Sequence, residues 1–219
     1  MSGLELAVTG ARADPSALVP TLAVGLRITA PAARRVQSVL LRCQIRVEPQ
    51  RRRYSEQEQG HLLDVFGAPE RWATTVTPFL LTHVTVPVRG FAGDTEIDLP
   101  VEISYDLEVT AGKYLHALRD GAVPLLFLFS GSVFYTDGGN LQVEQIPWDR
   151  EARYELPLAV WTAAIDAHYP GTAWLRLRRE TVDALLHYKS RHALPTWDAV
   201  VTQLLHDGAI VTPGPPESL

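Results

Sequence analysis

The stretch from Val123 to Tyr135 constrains the fold more than any other part of the sequence. It is apolar at nearly every position, so it lacks the alternation of apolar and polar side chains that marks a half-buried strand. A strand of this composition is covered on both faces. The sequence therefore predicts an interior strand, with C-terminal helices on one face and a second layer of sheet, or another subunit, on the other.

Two serines near the end of this stretch raise the question of catalysis. Ser130 and Ser132 flank Gly131, but they do not form the Gly-x-Ser-x-Gly turn that exposes a nucleophilic serine. A glycine inside a strand marks a bulge or a thin point of the sheet. We therefore predict a structural role for this segment and no catalytic residues in the chain.

Charged side chains alternate with apolar ones in two further segments. Residues 39–47 carry Arg42 and Arg46 between apolar positions, and residues 97–109 carry acids in the same pattern. Cross-strand pairs of opposite charge contribute about 0.2–1 kcal/mol each and help to fix register. The pattern predicts that the two strands share one sheet, with either arginine close to an acid. The acids predicted to lie within reach are Asp98, Glu102, Asp106 and Glu108.

The other patterns place strands mainly before helices. Further strands are predicted at 20–29, 79–88 and 141–147. Ser55 and Glu58 form a capping box that opens a helix ending at Gly67. Further helices are predicted at 111–120, 158–168, 180–193 and 197–206. We predict an α+β fold, in which an antiparallel β-sheet core has C-terminal helices packed on it.

We expect residues 1–219 to form a single domain. Within it, residues 1–18 are predicted to be a flexible N-terminal extension and residues 212–219 a flexible tail, because the tail is rich in Pro and Gly. The composition, 46% hydrophobic and 21% charged, is typical of a soluble globular protein. No uninterrupted apolar run reaches about 18 residues, and residues 1–20 lack the pattern of a signal peptide. We therefore expect a cytoplasmic protein with no membrane partner.

Metal and cofactor sites are not indicated by the sequence. The single cysteine, Cys43, excludes an internal disulfide or a site built from several cysteines. His187 and His192 are five residues apart, about 140° around a helix, so they cannot chelate a metal as a pair four apart does. No Gly-rich loop joins a strand to a helix, as phosphate binding requires. We predict no metal, no cofactor and no enzymatic activity.

Nucleic acid is not an expected partner. The net charge is −5, and the basic run Arg51, Arg52 and Arg53 has neither a second basic cluster nor interleaved aromatic residues beside it. The chain contains five tryptophans. Buried tryptophans usually anchor a core, whereas an exposed subset would form a binding surface.

Near the C-terminus a Leu-x-Leu segment, Leu175 and Leu177, precedes a predicted helix that opens on Asp183, Ala184 and Leu185. In this spacing and in the order of its elements, this part of the chain resembles the end of the SecB export chaperone. Val182 replaces the aromatic residue of the family, and the similarity in element order covers roughly residues 100–190. The resemblance implies a SecB-like fold that holds unfolded polypeptide in an apolar groove beside the last helix, without nucleotide.

The expected client-binding residues of such a groove are Trp174, Leu177, Leu185 and Tyr188. The whole chain also resembles an uncharacterised actinobacterial family whose genes often lie beside those for nickel-iron hydrogenases. We therefore expect a non-catalytic polypeptide-binding or assembly factor of chaperone type, which this resemblance would associate with a hydrogenase. Its partner would be a polypeptide client or partner protein, and a homo-oligomer is compatible with the interior strand. The alternatives are a structural subunit of a larger complex and, less favoured, a small-molecule enzyme.

Overall fold

The computed structural model describes residues 3–31, 35–137, 140–172 and 175–210; of residues 105, 108–110, 137 and 209–210 it describes the backbone alone. The chain divides into two compact units, Met1–Thr172 and Ala173–Leu219. The prediction of a single domain therefore stays a prediction. The tail at 212–219 lies outside the described residues.

The first unit is built mainly of antiparallel strands. Its described strands are β1 (Glu5–Ala13), β2 (Thr21–Thr29), β3 (Arg35–Val47), β4 (Phe79–Phe91), β5 (Asp94–Glu102), β6 (Ala122–Asp137), β7 (Asn140–Gln145) and β8 (Glu151–Pro157). One sheet has three strands in the order β1-β2-β5, and the other has five, in which β4, β3 and β6 are neighbours and β6 pairs with both β7 and β8. All the pairings are antiparallel.

Short helices connect these strands. The described helices of the first unit are α1 (Glu56–His61), α2 (Leu63–Phe66), α3 (Trp72–Thr75), α4 (Tyr105–Ala117) and α5 (Leu158–Asp166). The capping box is confirmed, since the Ser55 side chain accepts from the Glu58 backbone N–H while the Glu58 side chain accepts from the Ser55 N–H. Gly67 follows α2 with a φ of 75°, a conformation that favours glycine. The α+β prediction with an antiparallel core is confirmed.

One face of each sheet contributes side chains to a single hydrophobic core. Leu22 and Leu26 of β2 belong to the same buried cluster as Leu41 of β3 and Phe127 and Phe129 of β6. The alternation of side chains along each strand explains this arrangement, because every second residue points to the same face. Each sheet therefore keeps an outer face that points away from this core.

The interior position of β6 is confirmed for one of its faces. Phe127 and Phe129 are almost fully buried, and β6 has hydrogen-bonded neighbours on both sides. Its other face is covered less, because Leu128 is half-buried and Ser130 is exposed. The apolar composition of β6 thus predicts more complete burial of its outer face than the structure shows.

The prediction that the two charged strands share a sheet is wrong. The arginine-rich strand β3 lies in the five-stranded sheet, and the acidic strand β5 lies in the three-stranded sheet. Arg12 of β1 donates to both carboxylate oxygens of Asp98 at 2.9 and 2.7 Å, and Arg27 of β2 donates to Glu96 at 2.6 Å. The charge pattern alone does not reveal which strand pairs with β5. The acids of β5 are paired with two isolated arginines and not with the arginine-rich strand β3.

The predicted strand at 97–109 ends early for a local reason. Ser104 caps α4, its hydroxyl accepting from the Leu107 N–H at 3.3 Å. From there the buried positions Leu107, Ala111 and Tyr114 follow a helical period. Asp106 therefore lies on a helix, as does the backbone of Glu108.

The N-terminal segment also differs from the prediction, because residues 5–13 form β1 at the edge of the three-stranded sheet. Leu6 and Val8 pack against the core although both remain partly exposed. Helix α5 contacts β1, β2 and β8 and buries Trp161 and Ala164. Residues 1–18 are therefore not a free extension over their described part.

The second unit consists of a helix pair. Helix α6 (Arg179–Arg191) and helix α7 (Trp197–Ile210) are connected by a turn in which Ala193 has a φ of 51°. Helices were predicted at both places. No helix among the described residues is long and apolar enough to cross a membrane.

Candidate functional site

A shallow open depression of about 690 Å³, here called the outer basin, lies on the outer face of the five-stranded sheet. The residues that line it are Arg42, Gln44, His83, Thr85, Leu128, Phe129, Ser130 and Trp148. Most of these side chains carry a hydrogen-bond donor, and one is a permanent cation. The outer basin is thus suited to a ligand that offers acceptors and an apolar group.

The strand register brings these residues together. Arg42 on the central strand β3 lies opposite Ser130 of β6 and opposite Thr85 of β4. Two residues further, Gln44 lies opposite Leu128 and His83. Residues directly opposite each other point to the same face, so the register places two rows of side chains on the outer face.

Trp148 enters the basin from a loop at the sheet edge. Strand β6 pairs with β7 along its second half and with β8 along its first half. Between them, the Ile146 N–H donates to the Gly131 carbonyl and the Phe129 N–H donates to the Arg150 carbonyl, both at 2.9 Å. The residues between 146 and 150 therefore project from the sheet, and Trp148 is 91% exposed.

Gly131 is required where β6 changes partner. Its φ is 137°, and a Cβ at this position would collide with the backbone carbonyl oxygen of Leu40. The Ser-Gly-Ser sequence thus marks the junction between β7 and β8, in agreement with the structural role predicted for it. Ser132 is tied to the neighbouring strand, since its hydroxyl accepts from the Gln145 side-chain amide at 3.0 Å.

The outer basin contains no serine–histidine pair. Ser130 lies on β6 and His83 on β4, with β3 between them, so the two strands are about 10 Å apart. A hydroxyl and its general base must approach within hydrogen-bond distance. Cys43 points into the core, where burial raises the pKa of its thiol to about 12. The described residues contain no group of three or more His, Cys, Asp or Glu that would hold a metal.

The outer face of the five-stranded sheet carries cations without acidic partners. Arg42 and Arg46 project from β3 and Arg89 projects from β4, and none of them forms an ion pair or hydrogen bond within the described ranges. Arg153 of β8 differs, because it donates to Glu151 at 2.7 Å and to Glu48 at 3.3 Å. The unpaired cations therefore cluster around β3 and the outer basin.

The client-binding residues predicted from the sequence belong to the second unit. Trp174 lies outside the described residues. Leu177 is 40% exposed, and Leu185 and Tyr188 of α6 are half-buried. The Tyr188 hydroxyl donates to Asp207 at 3.1 Å, and the ring lies 4.2 Å from that of His192. Tyr188 thus connects α6 to α7, and the assignment of these residues to client binding stays a prediction.

Large apolar side chains are exposed throughout the described part of this second unit. They form what we call the C-terminal apolar surface, which consists of Leu175, Leu177, Leu186, Trp197, Val201, Leu204 and Leu205. On α7, Trp197, Val201 and Leu205 are spaced four residues apart and therefore follow one face of the helix. The three side chains on α7 thus form an exposed apolar stripe, and exposed apolar patches mark interaction sites.

The sequence reasoning missed a buried ion pair between Arg52 and Glu58. One Arg52 Nη donates to Glu58 Oε1 at 2.6 Å and to the Asp120 carbonyl at 2.8 Å, and the other donates to the Ala122 carbonyl at 2.8 Å. Both side chains are less than 10% exposed. Burial raises the pKa of Glu58, but hydrogen bonds from the Arg119 and Ser55 N–H groups, together with Arg52, outweigh it and hold the pKa below 4.5.

This pair ties the segment after β3 to the start of β6. Beside it, Tyr54 donates to the Pro49 carbonyl at 2.7 Å and lies 3.0 Å from the Tyr114 hydroxyl. The basic run at 51–53 is therefore divided, since Arg52 is structural whereas Arg53 is exposed. The capping residue Glu58 was visible in the sequence, but its second role required the three-dimensional arrangement.

Two solved structures match part of this chain at low similarity. A β-glucosidase from Kluyveromyces marxianus, labelled with selenomethionine, matches 70% of this chain at 9% identity with a TM-score of 0.27. The β-glucosidase from the same organism in complex with glucose matches 71% at 9% identity with a TM-score of 0.26. In both cases the match spans only 15% of the other chain.

No curated protein matches the chain. The family described as a family of unknown function, DUF6084, matches residues 1–212. That range includes both sheets, the outer basin, the Arg52–Glu58 pair and the whole C-terminal apolar surface. The chain therefore belongs to the DUF6084 family.

Proposed function

We propose that this protein is a non-catalytic polypeptide-binding or assembly factor of chaperone type that acts in the cytoplasm. The C-terminal apolar surface is the observation that carries this proposal. Seven large apolar side chains are exposed between residues 175 and 205, where two helices are connected by a turn. The resemblance to a family encoded beside nickel-iron hydrogenase genes makes a hydrogenase subunit the natural client.

The physical basis of binding is burial of apolar area. Removing such area from water contributes about 25 cal/mol per Å², and this contribution is largely independent of the sequence that supplies the area. An unfolded client exposes apolar side chains along its whole length. Leu205 at 70% and Leu175 at 75% exposure have much area left to bury. The surface therefore favours weak binding of many apolar segments without nucleotide.

A structural subunit is the second candidate, and the same surface favours it. A permanent partner would cover the apolar side chains completely, as in obligate complexes whose interfaces resemble a core cut in half. A second copy of this chain is one such partner. The two functions differ in stoichiometry, because a subunit has one stable partner whereas a chaperone has many transient ones.

The test uses the full chain and a protein that stays unfolded after reduction and carboxymethylation. We expect the wild-type chain to bind this client and to slow the aggregation of a diluted, denatured protein, as measured by light scattering. Replacing Leu186 and Leu205 by Ser together should weaken binding at least about fivefold, because each leucine loses part of about 1.5–3 kcal/mol of burial.

Leu18→Ser is the matched control, since Leu18 is 99% exposed and lies in the turn between β1 and β2 of the first unit. It should leave client binding unchanged. Equal binding by the double variant and the control would contradict the proposal. Capture of one stoichiometric partner from the native cell, with no binding of the unfolded client, would assign the chain to a complex instead.

A further inference from the structure

The outer face of the five-stranded sheet is built from other residues than the C-terminal apolar surface. Arg42, Arg46 and Arg89 project from this face and have no acidic partner among the residues that the structure describes. By contrast, the arginines of the other outer face, Arg12 and Arg27, are each held by a carboxylate. A chain with a net charge of −5 thus keeps a group of free cations on one face.

The distance between Arg42 and Arg46 along β3 matches the spacing of residues in an extended polypeptide. Arg42 and Arg46 lie four residues apart on the same strand and point to the same face. At a rise of about 3.3 Å per residue their Cα atoms are about 13 Å apart. An extended polypeptide has the same rise, so carboxylates at positions i and i+4 of such a segment lie above both arginines in register.

The remaining residues of the basin fit the same kind of ligand. Between the arginines, Gln44 offers an amide that can bond a peptide backbone. Leu128 and the almost fully exposed Trp148 offer apolar contact at the other side of the depression. Exposed tryptophan at the rim of a polar depression is a common anchor in protein interfaces.

We propose that the outer face of the five-stranded sheet binds an extended acidic segment of a partner protein. Carboxylates of that segment pair with Arg42 and Arg46, and one of its apolar or aromatic side chains packs on Trp148 and Leu128. The segment runs along β3 and makes its contacts through side chains, because β3 already has hydrogen-bonded neighbours on both sides. The partner is recognised by charge and spacing.

A protein segment fits this face better than a single-stranded nucleic acid does. Binding of single strands relies on several aromatic side chains on which successive bases stack, together with a continuous basic groove. The basin has one large exposed aromatic ring, Trp148, and is lined by the aliphatic side chain of Leu128. Beside the basin, one pair further along β3, the aliphatic Leu40 is 51% exposed. Aliphatic side chains pack well against an apolar side chain of a peptide, whereas a base binds best by stacking on an aromatic ring.

The test measures binding of a fluorescein-labelled synthetic peptide to the full chain at low salt. The peptide has about twelve residues, with Glu at every second position, Thr between them and one central Phe, so that an extended form matches the length of β3. Its matched control has Gln in place of every Glu. We expect binding of the Glu peptide only, weakening steeply as salt rises above about 0.15 M.

Variants locate the site. Arg42→Glu should reduce affinity at least about tenfold, because it replaces an attraction by a repulsion, and Arg42→Gln should reduce it less. Trp148→Ala should reduce it about threefold or more through lost apolar contact. Arg53→Glu is the control with the same change of charge, since Arg53 is exposed, lies outside the sheet and has no ion pair in the described part of the chain. It should leave affinity within about twofold of the wild type.

Each outcome decides the proposal. Tenfold loss in Arg42→Glu with an unchanged Arg53→Glu variant, both with wild-type thermal transitions, supports it. Equal binding by the Glu and Gln peptides, or equal loss in the two charge-reversal variants, overturns it. Preference for a uridine oligomer of similar length, lost in Arg42→Glu, would assign the face to nucleic acid. Concentration-dependent self-association that Arg42→Glu abolishes would assign it to a second copy of the chain.

Discussion

The two sheets of the first unit differ in whether the outer arginines of their central strands have acidic partners. On the three-stranded sheet, Arg12 is held by Asp98 and Arg27 by Glu96, each at 2.6–2.9 Å. On the five-stranded sheet, Arg42 has no carboxylate within reach among the described residues. Both faces point away from a shared core, so the difference does not arise from burial. It lies in the distribution of charge over the two surfaces.

The comparison separates cations that support the fold from cations that are free for a partner. A third arginine, Arg52, is an example of a cation that supports the fold. Its side chain is buried with Glu58 and also donates to two backbone carbonyls. Buried ion pairs are costly to break, and exposed ones contribute little. We therefore expect the effect of a substitution on stability to fall from the core, through Arg52, to Arg12 and Arg42, while the effect on acidic-peptide binding is largest at Arg42.

The largest expected effect separates the two faces of β6. Phe129→Asp should prevent folding, because an unpaired carboxylate in the core costs several kcal/mol against a total stability of about 5–15 kcal/mol. Phe129 is 2% exposed, whereas the adjacent Ser130 is exposed on the outer face. Ser130→Asp is thus the matched control, expected to fold normally and to bind the acidic peptide less well. Solubility and thermal unfolding followed by circular dichroism measure both, and a cooperative transition in Phe129→Asp near the wild-type temperature would show that β6 is not interior.

The next effect concerns the buried pair. Arg52→Ala should lower the free energy of unfolding by about 3–5 kcal/mol, since it leaves the carboxylate of Glu58 buried without its cation. Chemical denaturation at neutral pH measures the change, and Arg53→Ala serves as the exposed neighbour, with a change within about 0.5 kcal/mol. Equal effects of the two substitutions would remove the distinction between structural and free arginines on which the comparison depends.

Acid should weaken the same pair. The pKa of Glu58 is lower in the folded protein than its ordinary value of 4.5, so the unfolded chain binds a proton more readily. The stability that the carboxylate contributes is therefore fully present above about pH 5 and is lost as the pH falls through the lowered pKa. Unfolding midpoints measured from pH 7 to pH 3 should fall less steeply in Glu58→Gln than in the wild type. Parallel pH profiles would show that the carboxylate of Glu58 is not responsible.

Much of the fold was predictable because local signals and tertiary structure agree. The composition of residues 123–135, the capping box at Ser55 and Glu58, and Gly67 at the end of α2 are signals of this kind. Ser104 is another, and a capping serine ahead of a helical period would have shown that the strand at 97–109 ends there. Strand β1 gives a weaker signal, because its Ala, Gly and Thr residues supply little apolar contrast.

The outer basin could not be predicted from the sequence. Arg42 and Ser130 are 88 residues apart and meet only because β3 pairs with β6 in one register, which depends on the whole core. The exposure of Trp148 depends on the change of partner between β7 and β8 at Gly131. The cluster of arginines was visible in the sequence. The prediction that the acids of β5 pair with these arginines was wrong, and the unpaired arginines on the outer face were therefore not predicted.

The smallest expected effect on stability is the sharpest test of the comparison between the two outer faces. Arg12→Ala should lower the thermal midpoint by no more than about 2 °C, since exposed ion pairs contribute little. Arg42→Ala should leave the midpoint unchanged within error, because no carboxylate in the described structure loses a partner. In acidic-peptide binding the order should reverse, with a clear loss in Arg42→Ala and none in Arg12→Ala. A larger loss of stability in Arg42→Ala than in Arg12→Ala would mean that Arg42 supports the fold, and the outer face of the five-stranded sheet would then have no free cation at its centre to offer a partner.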